Sequence, residues 1–246
     1  MAAYGVFARY YDALTKNVDY RSRAAYFAGI IRRYAPDARL LLDLACGTGG
    51  ISFEIANLGY EVIGVDSSPD MLSVAAGKNT GDNPVMFLCQ KMQNLDLYGT
   101  VDAAVCALDS LNHLTGKELA ATLGRLGLFI APGGIFVFDL NTRYKHREIL
   151  ADNCFVYEHG DCYCVWQNRP LNNDAVGITL DFFENCGGAY KRHQESFCEY
   201  IHDDGDIRRM LDSAGFELLS VFEADTENPP TENSERVVYA ARRLST

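Results

Sequence analysis

Short apolar runs alternate with helical spacings through the first 150 residues of the chain. Ala24, Phe27 and Ile31 recur on one helix face, which predicts a helix over residues 20–34. Runs that are apolar throughout, such as 40–45, predict strands buried on both faces. Because such strands alternate with helices, we expect an α/β fold with a parallel sheet covered on both faces. The other predicted strands are 61–65, 85–89, 103–108 and 135–140, and the other predicted helices lie near 51–58, 69–75 and 119–130.

The pattern changes after the fifth predicted strand. From Cys154 to Tyr200 the chain becomes more polar and strand-like, without a helical spacing. We therefore expect a small antiparallel sheet inserted at 151–200, and a core built from 1–150 and 201–246. The last segment predicts a helix at 207–214 and two closing strands at 216–224 and 236–241.

The composition excludes some classes of partner. The chain has 246 residues, 48% of them hydrophobic, and a net charge of −11. An acidic balance argues against nucleic-acid or anionic-membrane partners, because both are bound largely through Lys and Arg. No apolar stretch reaches the roughly 18 residues that a membrane span needs, and the N-terminal residues do not resemble a secretory signal. We expect a cytoplasmic protein without nucleic-acid or membrane partners, and the sequence leaves both a monomer and a dimer open.

The eight cysteines invite a disulfide or zinc interpretation. No CxxC pair is present, and no histidine lies at zinc-finger spacing from a cysteine pair. Several cysteines fall inside apolar runs, where a free thiol packs as a small hydrophobic side chain. We expect reduced structural thiols and no metal site.

The clearest chemical signal is the run DLACGTGG, which spans Asp43 to Gly50 between a predicted strand and a predicted helix. Glycines let the backbone approach a ligand closely, and the start of the helix offers free N–H groups. Nineteen residues after Gly47, Asp66 ends the second strand, where a carboxylate can accept the hydroxyls of an adenosine ribose. A dinucleotide-binding loop has a third glycine where this chain has Ser52, so the run alone leaves two cofactor classes open.

The fuller string D-x-x-C-G-T-G resembles the class I S-adenosylmethionine-dependent methyltransferases. Further segments that match in order are 67–72, 89–92, 108–112 and 128–139. The N-terminal segments 7–12 and 18–20, with 165–168 and 190–192, resemble a subgroup of small bacterial methyltransferases with an antiparallel β insert. The resemblance implies a Rossmann-like, mostly parallel seven-stranded sheet with helices on both faces, plus the small antiparallel insert after strand five.

The turn, the acidic strand end and the resemblance together imply a cofactor site for S-adenosylmethionine. Its expected residues are Tyr11, Tyr20, Asp43, Ala45, Cys46, Gly47, Gly49, Asp66, Ser67, Met71, Gln90, Lys91, Met92, Leu108, Asp109 and Ser110. Tyr11 and Tyr20 are included because an aromatic face stabilises a sulfonium cation. The candidates for a catalytic base are Asp109, His113, Tyr11 and Tyr20, and the sequence does not choose among them.

The resemblance implies methyl transfer to a nitrogen or oxygen atom of a small-molecule acceptor by direct in-line displacement, with S-adenosylhomocysteine as product. The insert is expected to form a lid on the acceptor side, where Arg192 would influence acceptor selectivity. Two alternatives remain at this point. One is an NAD(P)-dependent oxidoreductase, and the other is a non-catalytic module that binds S-adenosylmethionine.

Overall fold

Eleven strands form two sheets in the computed structural model, which describes residues 5–171 and 174–245. The predicted core also includes residues 1–4 and 246, and the predicted insert includes 172–173; these residues lie outside the described ranges. The helices are α1 Gly5–Leu14, α2 Tyr20–Tyr34, α3 Gly50–Asn57, α4 Pro69–Lys78, α5 Gly116–Phe129 and α6 Asp204–Ser213. The strands are β1 Leu40–Leu44, β2 Glu61–Asp66, β3 Met86–Cys89, β4 Val101–Cys106, β5 Ile130–Asn141, β6 Cys154–His159, β7 Cys162–Leu171, β8 Ala175–Asn185, β9 Tyr190–Tyr200, β10 Phe216–Glu223 and β11 Arg236–Arg243.

The larger sheet has seven strands in the order β10-β11-β5-β4-β1-β2-β3. Its strands are parallel except β11, which pairs antiparallel with both β5 and β10. Leu42 and Phe136 pack on one face with α5 and α6, while Leu41 and Ile135 pack on the other with α2 and α3. Burial on both faces explains why these strands are apolar throughout, and the predicted Rossmann-like fold with an antiparallel insert is confirmed.

Helix α2 occupies its predicted range because local signals fix both ends. Asp19 caps the first turn, where its carboxylate accepts a hydrogen bond of 2.9 Å from the backbone N–H of Ser22. The helix ends at Tyr34, and its C-cap Ala35 directly precedes Pro36, which disfavours helical geometry in the residue before it. No helix in the described ranges is long and apolar enough to cross a membrane.

The end of strand β4 differs from the prediction. The apolar run predicted a strand to Leu108, but the strand ends at Cys106. Leu108 and Asp109 both adopt left-handed backbone conformations, with φ of 58° and 53°. Their backbone N–H groups donate to the two carboxylate oxygens of Asp139, at 3.1 and 2.6 Å. The carboxylate at β5 therefore turns the chain out of the sheet two residues early.

The insert forms a four-stranded antiparallel sheet in the order β6-β7-β8-β9. Its apolar face is covered by α1 through Phe7, Tyr10 and Leu14. The Tyr10 and Phe182 rings stack with their centroids 6.1 Å apart. On its other side α1 contacts the core, because Asp12 accepts a hydrogen bond of 2.6 Å from the Thr48 hydroxyl. Helix α1 thus joins the insert to the larger sheet.

The cysteines form no disulfide among the described residues, which include all eight. Cys162 and Cys164 are buried on one face of the insert, as their spacing predicts. Cys89 is exposed although it ends an apolar run, because β3 is an edge strand of the larger sheet.

Candidate active site

A crevice lies at the carboxyl ends of β1 and β4, the central strands of the larger sheet. It is lined by Tyr11, Tyr20, Asp43, Ala45, Cys46, Gly47, Thr48, Gly50, Ile51, Ala107, Leu108 and Ser110. Eight of these were expected from the sequence. Four lining residues were not expected. They lie within two positions of expected residues in the chain, so including every residue of these two segments would have predicted them: Thr48, Gly50, Ile51 and Ala107.

The glycine-rich turn forms the floor of the crevice. Gly47 and Gly49 adopt positive φ angles of 55° and 82°, and Gly49 directly precedes α3. No side chain caps α3, which leaves its first N–H groups without a capping partner beside the crevice. A Cβ atom at Gly50 would lie 2.7 Å from the Tyr20 ring. Glycine at this position therefore allows Tyr20 to pack directly on the turn.

Asp66 fastens the turn to the end of β2. One carboxylate oxygen accepts a hydrogen bond of 2.9 Å from the N–H of Gly47, and the other accepts one of 2.8 Å from Ser68. Each carboxylate oxygen can accept more than one hydrogen bond, so Asp66 can also accept ribose hydroxyls. Burial raises its pKa, and the backbone hydrogen bonds oppose that rise.

Asp43 lies at the end of β1 and is only 2% exposed. Burial raises its pKa to about 7, and a hydrogen bond of 2.5 Å from the Ser52 hydroxyl opposes the rise. Ser52, which stands where a dinucleotide-binding loop has glycine, is therefore used to hold this buried carboxylate.

Tyr11 and Tyr20 cover the crevice. The Tyr20 and Thr15 hydroxyls are 2.8 Å apart, and burial raises the pKa of both tyrosines, so they stay protonated at neutral pH. Tyr11 belongs to α1 and Tyr20 to α2, so the first two helices lie over the crevice.

Glu195 of β9 fastens the N-terminal end of α1. Its Oε1 accepts a hydrogen bond of 3.1 Å from the backbone N–H of Phe7, while its Oε2 is buried with no hydrogen-bond partner in the described structure. Burial raises the pKa of Glu195 to about 7. The contact between α1 and the insert therefore includes a carboxylate that titrates near neutral pH.

We expect Glu195→Gln to reduce the pH dependence of stability. The folded chain holds a proton on Glu195 between the ordinary pKa of 4.5 and about 7, whereas the unfolded chain releases it. This stabilisation is present below pH 4.5 and lost as the pH rises through 7. From pH 5 to 8, the unfolding free energy of the wild type should fall by up to about 2.5 kcal/mol more than that of the variant, measured by urea unfolding.

The control for this experiment is Glu158→Gln, because Glu158 is an exposed glutamate of the same sheet. It should follow the wild-type profile. Asp43 shifts in the same direction and is retained in all three proteins, so some pH dependence should persist. Parallel profiles for Glu195→Gln and the wild type would contradict the prediction.

The other expected cofactor residues do not line the crevice in this structure. They are Gly49, Asp66, Ser67, Met71, Gln90, Lys91, Met92 and Asp109. The Gln90 side-chain amide makes hydrogen bonds of 2.9 and 3.0 Å with the backbone N–H and carbonyl oxygen of Asp96. Met71 is on the buried face of α4. Lys91 is exposed. Contact of these residues with a cofactor stays a prediction.

Asp109 belongs to a network of buried charges. The Arg236 guanidinium donates to Asp109 at 2.5 Å and to Asp139 at 3.0 Å. Arg23 lies 3.3 Å from the second oxygen of Asp139, which is completely buried. Burial raises the pKa of Asp109, and Arg236 opposes the rise. Arg236 was not expected from the sequence.

Two further charged groups face Asp109. Its carboxylate, the exposed His113 ring and the buried Glu199 carboxylate each offer one atom within 4.8 Å of the others. Glu199 accepts a hydrogen bond of 3.1 Å from the Asn141 side-chain amide, and its Oε2 lies 3.0 Å from Nε2 of the buried His146 ring. Burial alone would raise the pKa of Glu199, but His146 and His113 lower it below its ordinary value.

Carboxylates and imidazole are also ligand types for divalent cations. Both carboxylates of this cluster already have basic partners, Arg236 for Asp109 and His146 for Glu199. The absence of a metal therefore stays a prediction.

The face of β9 that bears Glu199 is the face turned toward the crevice. Side chains alternate along a strand, so Glu195, Phe197 and Glu199 share this face, and the Phe197 ring lies 5.0 Å from that of His113. Arg192 lies on the other face, where it donates to Asp181 at 2.8 Å. Glu199 therefore lies on the crevice side of the insert and Arg192 on the opposite side, and an influence of Arg192 on acceptor selectivity stays a prediction.

Comparisons with known proteins agree with this geometry. A family model described as a methyltransferase domain matches residues 41–134. YqeM of Bacillus subtilis, whose name assigns it to the methyltransferases, is 33% identical over 99% of this chain and 98% of its own length. A solved S-adenosylmethionine-dependent methyltransferase from Clostridium acetobutylicum is 27% identical, with a TM-score of 0.88 over 98% of this chain and 99% of that chain.

A third relative matches about half of each chain. The dTDP-3-amino-3,6-dideoxy-alpha-D-glucopyranose N,N-dimethyltransferase of Streptomyces fradiae is 34% identical over 55% of this chain and 53% of its own length. These relatives separate the chain from the nicotinamide-dependent oxidoreductases. Nearly its whole length aligns with YqeM, and the glycine-rich turn at the crevice is held by Asp66, so the chain belongs to the class I S-adenosylmethionine-dependent methyltransferases and uses S-adenosylmethionine as its methyl donor.

Proposed function

We propose that this methyltransferase acts on a nitrogen atom of a small-molecule amine. The observation that carries the proposal is the cluster of Asp109, His113 and Glu199 beside the crevice. Carboxylates accept hydrogen bonds from N–H groups and stabilise positive charge, which favours nitrogen over the oxygen acceptor that the sequence left open. The Streptomyces fradiae relative is named for methylation of an amino sugar, which supports the same choice.

We further propose that the cofactor is held by the residues expected from the sequence. The free N–H groups at the start of α3, the Asp66 carboxylate and the rings of Tyr11 and Tyr20 suit an anionic group, ribose hydroxyls and a cation respectively. S-adenosylmethionine supplies a methyl group that is already activated by its positive sulfur. The chain therefore has to position the acceptor and exclude water, and such positioning can contribute roughly 7–11 kcal/mol.

The charges of the cluster suit the chemistry of an amine. The nitrogen lone pair forms the new N–C bond as the S–C bond breaks, the bonding pair stays on sulfur, and the product ammonium releases one proton to water. Positive charge moves from sulfur to nitrogen during this step. Asp109 and Glu199 are fixed near the acceptor side by Arg236 and His146, so they stabilise that charge without reorganising.

We propose that none of the four candidate residues is an essential base. Tyr11 and Tyr20 have raised pKa values and stay protonated, while Asp109 is bound to Arg236. His113 is exposed, and its ring packs against Phe197. An amine attacks as the neutral base, so the net proton can leave to water.

We propose that the chain is divided into a cofactor-binding core and a lid. Segments 1–150 and 201–246 form the core that binds the cofactor, and 151–200 forms a lid on the acceptor side. Helix α1 packs on the insert and carries Tyr11 over the crevice, so we propose that α1 and the insert move together when the cofactor enters.

The proposal is tested by calorimetry with S-adenosylhomocysteine and by methylation assays on a panel of small amines and alcohols. We expect binding, and methylation of at least one amine. Methylation of alcohols only would contradict the choice of nitrogen. In the same assay, turnover by His113→Ala, Tyr11→Phe, Tyr20→Phe and Asp109→Asn should fall by less than about a thousand-fold. A larger fall in a variant that still binds its ligands would identify an essential base, whose loss costs about 10²–10⁴-fold.

A further inference from the structure

We propose that Asp109, Asn141 and Glu199 bind the amino group of the acceptor, and that they reject amines whose adjacent carbon carries a carboxylate. The inference rests on the proposed function, because it concerns the acceptor of the methyl group. It excludes α-amino acids and makes Glu199 a residue that determines specificity.

An unsatisfied acceptor belongs to the side chain that donates to Glu199. Asn141 is 4% exposed, and its Nδ2 donates to Glu199. Its Oδ1 is buried and has no hydrogen-bond partner among the described residues. Reversing the amide would bring its oxygen against the carboxylate, so the orientation is fixed. A buried oxygen without a donor requires an explanation, and an amine has the N–H groups to satisfy it.

His146 holds Glu199 in place as a carboxylate. The Nδ1 atom of His146 lies 2.9 Å from the carbonyl oxygen of Thr142, which can only accept, so Nδ1 carries a hydrogen. The Nε2 atom lies 3.0 Å from Glu199. The hydrogen bond with His146 and the nearby His113 ring lower the pKa of Glu199 below its ordinary value, so Glu199 is a carboxylate at neutral pH. His146 is thus a positioning residue for the amine-binding group.

The nearby arginines are already bound to carboxylates of the chain. Arg236 pairs with Asp109 and Asp139, and Arg23 pairs with Asp139 and Asp225. An α-amino acid would bring its carboxylate close to Asp109 and Glu199 without gaining either guanidinium. Like charges placed together at a binding site cost several kcal/mol. A simple amine avoids this repulsion and satisfies all three acceptors.

The test compares amines with the α-amino acids that carry the same side chain. Suitable pairs are 2-aminoethanol with serine, tyramine with tyrosine, and histamine with histidine. For every pair in which either member is methylated, we expect kcat/KM for the amine to exceed that for the amino acid by about a hundred-fold or more. Equal values within threefold, or a preference for the amino acid, would overturn the inference.

Glu199→Gln keeps the shape of the side chain and removes its charge. It should lower the ratio of kcat/KM for the amine to kcat/KM for the amino acid by about tenfold, because the amine binds less tightly and the amino acid is no longer repelled. Asp109→Asn should narrow it as well, because part of the Arg236 guanidinium becomes available to the amino acid. Glu158→Gln, on the outer face of the insert, should leave the ratio unchanged. An unchanged ratio in both folded site variants would overturn the inference.

Binding of S-adenosylhomocysteine distinguishes a failure of the proposed function from a failure of the inference about the acceptor. Glu199→Gln should bind it within about threefold of the wild type, because Glu199 belongs to the insert on the acceptor side and is not among the residues proposed to hold the cofactor. A wild-type chain that binds no S-adenosylhomocysteine would overturn the proposed function. A chain that binds it and methylates amines and α-amino acids alike would overturn only the inference.

Discussion

Replacing Arg236 by methionine should lower the free energy of unfolding by about 3–5 kcal/mol, the usual cost of removing one partner of a buried ion pair. The Arg236 guanidinium bridges Asp109 and Asp139, and Asp139 is completely buried. Without it, Asp139 keeps one longer ion pair, with Arg23, and the hydrogen bonds from the backbone N–H groups of Leu108 and Asp109. Methionine retains most of the side-chain length, so lost charge rather than lost volume should dominate. Urea unfolding at pH 7 measures the change.

Arg242→Met is the matched control for this substitution. Arg242 lies on the same strand, is 37% exposed, and is 3.9 Å from an exposed Glu217 carboxylate. Surface pairs of this kind contribute about 0–1 kcal/mol, so the control should remain close to the wild type. A loss below about 1 kcal/mol for Arg236→Met would show that the network around Asp139 is not a major source of stability.

Asp66→Ala should weaken the binding of S-adenosylhomocysteine by about ten- to hundred-fold. A hydrogen bond to a charged group contributes roughly 1.5–3 kcal/mol, and each 1.4 kcal/mol is about a tenfold change in affinity. The substitution also removes the acceptors of the Gly47 and Ser68 N–H groups. Calorimetry measures the affinity, and a thermal melt establishes that the variant is folded.

Asp82→Ala provides the control, since Asp82 is an exposed carboxylate in the loop before β3. It should bind S-adenosylhomocysteine as the wild type does. Unchanged affinity in a folded Asp66→Ala variant would mean that Asp66 fastens the glycine-rich turn without contacting the cofactor.

Features that depend on neighbouring residues could be predicted from the sequence. Asp19 and Pro36 fix the ends of α2, and the DLACGTGG run gives the turn between β1 and α3. Asp66 was also expected beside this turn, because parallel neighbouring strands bring their carboxyl ends to one edge of a sheet; its hydrogen bond with the Gly47 N–H was found only in the structure.

The end of β4 could not be predicted in the same way. Apolar residues continue to Leu108, but the backbone N–H groups there are taken by Asp139 on the neighbouring strand. Arg192 was an equally reasonable insert residue until the sheet register placed it on the face opposite Glu199. Both outcomes depend on register, which a local pattern of polar and apolar residues does not specify here.

The fold class, both ends of α2 and the glycine-rich turn could be predicted from the sequence, because each depends on residues that are close together in the chain. The tertiary structure alone decided the acceptor side. Arg236 lies 127 positions from Asp109, and Glu199 lies 53 from His146. With 33 acidic residues in the chain, nothing in their local context identifies which of them meet. Packing of β11 and the insert against the core selects these pairs, since a charge buried there must have a partner.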